Sequence, residues 1–395
     1  MSDILRVENL STRFFTESGQ VNAVEDVSFT IDTGEVFGIV GESGSGKSVT
    51  ALSLIDLVET PGRVTDGAIW FRAPETASRI ESDTPEAVDG EMVDLRRLSE
   101  GERRALRGSR FATIFQDPMS SFNPSITVGE QIAEAAEVQR RAEANPRTTR
   151  SRTQGFGLTS FLTASVLPSR SYVTEASMDR AVELLELVGI PDPAERAEEY
   201  PHQYSGGMLQ RAMIAQALAA DPDVLIADEP TTALDVTIQA QILQLLDRIQ
   251  EETGMTILII THNLGVIARM CDTVGVMYAG EIVERGRLTD VFDHPAHPYT
   301  RGLLGSLPSV EDASGRLSPI DGSVPSLIDA EMPDRCYFAD RCPEAMEACL
   351  EKPPSFSASG SADHETTCYL AAEDHNESPP LPDDYFTNAE VTDEH

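Results

Sequence analysis

The segment GESGSGKS, from Gly41 to Ser48, fits the pattern G-x-x-x-x-G-K-[ST] and constrains the fold more than any other feature of the chain. A loop of this kind holds a phosphate with backbone N–H groups at the start of a helix, so it needs a strand before it and a helix after it. Both are legible. EVFGIV is a short, apolar, β-rich run that ends at the first glycine, and SVTALSLIDLV reads as an apolar helix from Ser48. Within the loop Gly41, Gly44 and Gly46 let the backbone curl, with Glu42, Ser43, Ser45 and Val49 around the phosphate. Lys47 is placed to reach the β and γ oxygens of ATP, and Ser48 offers a hydroxyl to Mg²⁺.

The rest of the chain suits that loop. ILRVENL and AVEDVSFTI read as strands ahead of it, and FATIF (111–115), DVLIADEP and MTILIITH as strands behind it. TVGEQIAEAAEVQRRAEA and MDRAVELLELVGI have helical periodicity, the second stopping at Gly189 before Pro191. VTIQAQILQLLDRIQEETG is an amphipathic helix capped by Gly254. Alternation of strand and helix from 36 to 278 implies an α/β layered domain with a largely parallel sheet. Residues 73–94 are acidic, Pro-containing and aperiodic, as an exposed loop or insertion would be. Residues 144–174 hold four arginines and no acid, around an apolar FGLTSFLTASVL, and suit either a permease or headgroup contact or a plain solvated loop. The stretch 373–395 is acidic and Pro-rich, the composition of a disordered tail.

Further motifs carry chemistry. VLIADEP (224–230) is an apolar strand that ends in two carboxylates: Asp228 can hold Mg²⁺, and Glu229 is then placed to polarise an attacking water. In YSGGMLQR (204–211) Ser205, Gly206 and Gly207 precede a helix, so a hydroxyl, N–H groups and a helix dipole can meet an anion. FQDP (115–118), ALD (233–235) and THN (261–263) complete the set. From residue 4 to about 285 these segments, in this order, resemble those of ABC ATPases. YSGGMLQR is similar to the ABC signature, with Tyr204 in place of the common Leu and Met208 in place of the common Gln.

The resemblance implies a P-loop NTPase of ABC type: a RecA-like α/β core, an antiparallel β subdomain and a helical subdomain at about 117–215, all within residues 1–285. It implies that Gln116 senses Mg²⁺ and the γ-phosphate, that Asp235 speaks across a dimer, and that His262 faces the γ-phosphate. Phe14 or Phe15 would stack on adenine. HPAHPYTRGLLGSLP (294–308), then RCYFADRCPEAMEAC and Cys368, resembles the C-terminal extension of oligopeptide and dipeptide importer subunits, which gives a small domain at 286–372. That branch works with a second related ATPase subunit, two integral-membrane permease subunits and an extracellular substrate-binding protein. ATP hydrolysis at the cytoplasmic face of the membrane then drives uptake of a peptide, a nickel complex or a sugar. An ABC ATPase without a permease, acting on nucleic acid or ribosomes, is the competing class.

Charge bears on that choice. With 66 acidic and 30 basic residues the net charge is −36, which suits a halophile with a salty cytoplasm and argues against a nucleic-acid binder. The opening MSDILRVENLS has no basic flank and apolar stretch of a signal peptide, and no apolar run reaches the 18 or so residues of a membrane span, so a peripheral, cytoplasmic location is expected. In such a compartment Cys336, Cys342, Cys349 and Cys368 suggest a metal site rather than disulfides. Their C-x5-C-x6-C-x18-C spacing is wider than structural zinc favours and suits a [4Fe–4S] cluster, with zinc or metal-free structural cysteines as alternatives.

Overall fold

The structure is a computed structural model of the full chain, described here for residues 2–107, 109–144, 173–232, 234–306, 320–328, 332, 334–358, 363–372, 378–382 and 385–386. The basic stretch 144–174 lies, apart from its first and last residues, outside the described residues. In chain order the strands are β1 (Asp3–Thr16), β2 (Gly19–Asp32), β3 (Val36–Val40), β4 (Gly62–Arg72), β5 (Val88–Asp89), β6 (Met92–Asp94), β7 (Phe111–Ile114), β8 (Val224–Asp228), β9 (Thr256–Thr261), β10 (Thr273–Tyr278), β11 (Glu281–Arg287), β12 (Phe356–Ser357) and β13 (Glu365–Thr366). They fall into two compact units. The first takes the residues up to Leu5, Ile31–Gly34 and Trp70–Ile259; the second takes Arg6–Thr30, Glu35–Ile69 and the described residues from Ile260 onward.

In the first unit β8 lies between β7 and β9, and β7 pairs with it in parallel, Phe111 opposite Val224 through Ile114 opposite Ala227. Val224, Leu225, Ile226 and Ala227 are all fully buried. A strand covered on both faces cannot alternate polar and apolar residues, which is why DVLIADEP reads as one apolar run. The helices Val128–Ala144, Glu175–Leu187 and Gly206–Leu218 pack against one another. Among them the carboxylate of Glu137 is fully buried, and it accepts from Ser177 at 2.6 Å and from Arg140 at 2.6 and 2.9 Å. Residues 73–94 are not an exposed loop. They form a helix, Pro74–Ile80, and the strands β5 and β6, with Ala77, Ile80, Ala87 and Val93 buried. Strands of two and three residues are too short to show a period, so the sequence pattern hides them.

In the second unit β3 is buried along its whole length and pairs in parallel with β10, Phe37 opposite Thr273 through Val40 opposite Val276. The helix Leu264–Met270 leads toward β10 and leans directly on β3. A Cβ on Gly38 would come within 2.6 Å of Ile267 Cδ1 and 2.7 Å of Cys271 Sγ. β10 turns through Ala279 and Gly280, both at positive φ, into antiparallel β11. β13 then pairs with the far edge of β11, Thr366 opposite Glu284, and β12 pairs with β13. The expected domain boundary near residue 285 thus falls inside β11, whose edge carries strands from the C-terminal region. Lys352, one of two lysines in the chain, forms an ion pair with Glu281 of β11 at 2.5 Å. Parts of the acidic tail contact the same region, with Glu347 N donating to Pro379 O at 2.9 Å and Leu381 N to Ala345 O at 2.9 Å.

The joint between β11 and the C-terminal region is polar and buried. The Glu284 carboxylate, fully buried, accepts from the N–H of Ala296 at 2.7 Å and of His297 at 2.8 Å, and it meets His364 Nε2 at 2.8 Å. An apolar residue there would leave three buried groups without their partner, each worth about 1–3 kcal/mol. Glu284→Ala is therefore expected to destabilise this unit by about 3 kcal/mol or more. The measurement is the urea midpoint followed by a probe in the C-terminal region, with a smaller loss for Glu284→Gln, which retains one acceptor oxygen.

Candidate functional site

The phosphate loop is shaped by lack of space. β3 delivers the chain to Gly41, where a Cβ would sit 2.1 Å from the carbonyl oxygen of Met277 on β10, so only glycine fits. Gly46 caps the helix Lys47–Leu54 with φ of 101°, and a Cβ there would lie 2.3 Å from Ala23 O. Ser45 is buried, and its carbonyl accepts from Gly280 N at 3.0 Å. Ser43, Gly44 and Ser48 are exposed, and Val49 is half-buried one turn behind them. Lys47 is only 5% exposed; its ammonium donates to the carbonyls of Gly41 and Glu42 at 2.8 Å each. Glu42 is held at its other end too, its N–H donating to the Tyr299 hydroxyl at 2.9 Å and its carboxylate paired with Arg341.

His262 belongs to the same unit, exposed just beyond β9. Asn263 after it caps the helix Leu264–Met270, its side chain accepting from Gly265 N at 2.9 Å, a task asparagine performs as well as aspartate. Of the two candidate aromatics, Phe14 is packed under Gly62, whose Cβ would be 2.5 Å from its ring. Phe15 is 40% exposed, with the Arg63 guanidinium 4.4 Å above its ring centre.

The first unit holds Gln116, the signature, Asp228, Glu229 and Asp235. Asp228 ends β8 half-buried. Glu229 follows with φ of 50°, a left-handed backbone that a non-glycine residue adopts at a cost of about 1–3 kcal/mol. Its carboxylate accepts from the Thr232 hydroxyl. Ser205 caps the signature helix, its hydroxyl accepting from Met208 N at 3.3 Å, with Gly206 and Gly207 as the first helical residues. Gly207 abuts the helix Val236–Thr253, for a Cβ on it would be 3.0 Å from Ile238. Asp235 caps that helix, accepting from Thr237 N and Ile238 N at 3.0 Å each. Gln116 is exposed after β7, beside exposed Phe115 and Met119.

Two roles were not legible in the motifs. Gln210, buried within the signature helix, donates to Pro230 O at 2.6 Å and so ties that helix to the residue after Glu229. Tyr204, the departure from the common Leu, is buried with its hydroxyl donating to Arg196 O at 2.8 Å, and burial raises its phenol to about 12.

The four clustered cysteines are free thiols that line one small pocket with His297 and Phe338. Burial, with the other thiols adding to it, pushes Cys336 and Cys342 up to about 12 and Cys368 to about 11. Among the described residues no group of three or more His, Cys, Asp or Glu is arranged to hold a metal ion. The expectation of a zinc or iron–sulfur centre thus has convergence on one pocket behind it and no assembled ligand set.

A glycine-clamped loop that opens a helix behind a buried parallel strand defines a P-loop nucleotide-binding fold. Residues 24–232 match the family described as ABC transporter, and residues 283–349 match the oligopeptide/dipeptide transporter C-terminal region. The dipeptide transport ATP-binding protein DppD of Bacillus subtilis is 43% identical over 371 residues, 94% of this chain and 95% of that one. A peptide import ATP-binding protein of Brucella abortus is 44% identical, over 92% and 96% of the two chains, and the Escherichia coli dipeptide transport protein 42%, over 90% and 93%. Among solved structures, cbiO1 of Clostridium perfringens, part of the ABC transporter complex cbiONQ, aligns with a TM-score of 0.52 at 26% identity, over 74% of this chain and 92% of its own. The dimeric cassette MJ0796 with ADP and phosphate shares the fold at a TM-score of 0.53 and 24% identity, over 72% and 98%. The chain belongs to the ABC transporter family of ATP-hydrolysing subunits.

Because Gly46 is required both by its φ and by Ala23 O, Gly46→Ala is expected to displace the loop. Titration with a fluorescent ATP analogue should show affinity reduced at least about ten-fold, the loss that follows if a tenth of the molecules keep a competent loop.

Proposed function

We propose that this chain is the ATP-hydrolysing subunit of an importer for dipeptides, oligopeptides or a similar solute, bound peripherally at the cytoplasmic face of the membrane. The observation that carries this is the presence, in one chain, of the ABC match at 24–232 and the oligopeptide/dipeptide transporter region at 283–349. Relatives named for peptide transport, alike over more than nine-tenths of the chain, support it. No helix among the described residues is long and apolar enough to cross a membrane, so the pathway for solute belongs to permease partners. An extracellular binding protein would deliver the solute. The net charge of −36 supports a salty cytoplasm as the setting and disfavours nucleic acid as a partner.

In this reading the N–H groups from Ser43 to Ser48 cradle the phosphates, and Lys47 gives up part of its contact with the Gly41 and Glu42 carbonyls to neutralise phosphate oxygens. Ser48, Asp228 and Gln116 supply the hard oxygen donors that Mg²⁺ prefers, and Mg²⁺ when bound offsets charge on the phosphate oxygens. Glu229, aimed by its left-handed backbone and held by Thr232, orients the attacking water, with His262 toward the γ-phosphate. Phe15 rather than Phe14 offers the exposed ring for adenine. Ser205, Gly206 and Gly207 serve the nucleotide of a related partner subunit, and Asp235 faces that partner. Closure of two such subunits on ATP, and reopening on hydrolysis, would pass a stroke to the permease through the exposed segment around Gln116.

Glu229→Gln is expected to keep ATP affinity and to lower turnover by about a hundred-fold or more. Near-normal phosphate release by that variant would remove Glu229 from the role. The pocket of Cys336, Cys342, Cys349 and Cys368 is proposed to hold a [4Fe–4S] cluster, on the grounds that all four thiols line one pocket and that their spacing in the chain is wider than structural zinc favours. Protein purified without oxygen should contain about four irons per chain and absorb in the blue. One zinc, or folded protein free of both metals, would overturn the cluster.

A further inference from the structure

The segment between Cys336 and Cys342 has two faces. Both cysteines and Phe338 line the thiol pocket, while Arg341 beside Cys342 is not part of its lining. Phe338 packs against Tyr278 at 5.2 Å and Tyr299 at 5.5 Å between ring centres. The single turn Ala339–Arg341 then presents Arg341, whose side chain is 6% exposed, to the phosphate loop. Its guanidinium makes a two-pronged contact with the Glu42 carboxylate, at 2.8 and 3.0 Å. The remaining three donors are taken up by Asp321 O at 2.8 Å, the Tyr278 hydroxyl at 3.3 Å and Ile320 O at 3.4 Å. A fork so fully used is fixed in direction, unlike a surface ion pair.

Glu42 is the second residue of the phosphate loop, and every polar group it has is engaged. Its N–H donates to Tyr299, its carbonyl accepts from Lys47, and its carboxylate is held by Arg341. A carboxylate at this place is a hazard for a site that must accept a polyanion, because an unpaired negative charge beside the loop repels phosphate and is free to take Lys47 for itself. Arg341 removes both hazards at once.

We propose that Arg341 is a positioning residue for nucleotide binding: from a turn anchored at Cys336 and Cys342 it holds and neutralises Glu42, and so keeps the start of the phosphate loop and Lys47 available to ATP. This rests on the assignment of 41–48 as the nucleotide-binding loop. It also makes the thiol pocket and the phosphate loop neighbours through one side chain, so that whatever moves Cys342 moves Arg341.

The test is a set of full-length variants titrated with a fluorescent ATP analogue: Arg341→Met, Arg341→Lys, Glu42→Gln and the double variant Arg341→Met with Glu42→Gln. Arg341→Met should weaken binding roughly ten-fold, as expected when about a tenth of the molecules keep a competent loop. KM for ATP should rise while kcat changes little, since Arg341 touches no reacting atom. Arg341→Lys should fall between, keeping the charge and losing the fork. Glu42→Gln alone is the reference for the double variant, in which it should restore much of the affinity lost in Arg341→Met, because the carboxylate that Arg341 controls is gone. A residue that merely holds the C-terminal region together would not be rescued from position 42. Unchanged affinity in folded Arg341→Met overturns the proposal, as does a double variant no tighter than Arg341→Met. If Arg341→Met does not fold, the same decision falls to Arg341→Lys with and without Glu42→Gln. Lys47→Ala separates the underlying assignment: if it binds ATP as the parent does, the loop is not the nucleotide site and the proposal falls with it.

Discussion

A loop that binds phosphate with its backbone must be held in shape by something other than its own N–H groups, because those are what it offers the ligand. The rest of the second unit meets that demand from outside the loop. Met277 O and Ala23 O close in on Gly41 and Gly46, leaving no room for any other residue. Gly280 N holds the Ser45 carbonyl, Tyr299 takes the Glu42 N–H, and Arg341 takes the Glu42 carboxylate. Ala23 belongs to β2 and Met277 to β10, while the other groups come from the β10 to β11 turn or from the C-terminal region, which makes that region part of what shapes the phosphate loop.

Much of the fold was legible because the loop motif dictates its own context. Once GESGSGKS is fixed as strand–loop–helix, the apolar runs at 224–228 and 256–261 have only a parallel, doubly covered sheet to join, and they form β8 and β9. What escaped was short or nonlocal. The strands β5 and β6, two and three residues long, carry too few side chains to display a period. The pairing of β13 with β11 joins residues some eighty positions apart, which local patterning does not encode. Among the candidate residues, Lys47 stands out from the loop pattern itself, Glu229 from an acidic strand end that follows such a loop in the chain, and Ser205 from resemblance to the ABC signature. The contact of Arg341 with Glu42 does not, since nothing in RCYFADRC distinguishes an arginine that reaches the phosphate loop from one that faces water.

The residue that breaks a local rule is informative in its own right. Glu229 follows an apolar strand and is placed in a left-handed conformation for which glycine or asparagine would be cheaper. Thr232 holds the carboxylate, and Gln210 holds the carbonyl of the next residue from within the signature helix. Strain kept in place by neighbours on both sides is the mark of a position whose geometry matters more than its stability.

The scarcity of lysine has a practical side. Arginine supplies nearly all the positive charge, and the two lysines are both engaged, Lys47 on the carbonyls that open the phosphate loop and Lys352 with Glu281 at the edge of β11. Acylating reagents that seek primary amines therefore find few targets beyond the terminal one, and one of those is the ammonium that would meet ATP. Amine-directed labelling of this chain has two side-chain targets of contrasting access, Lys47 at 5% exposure in the phosphate loop and the more exposed Lys352 beside β11.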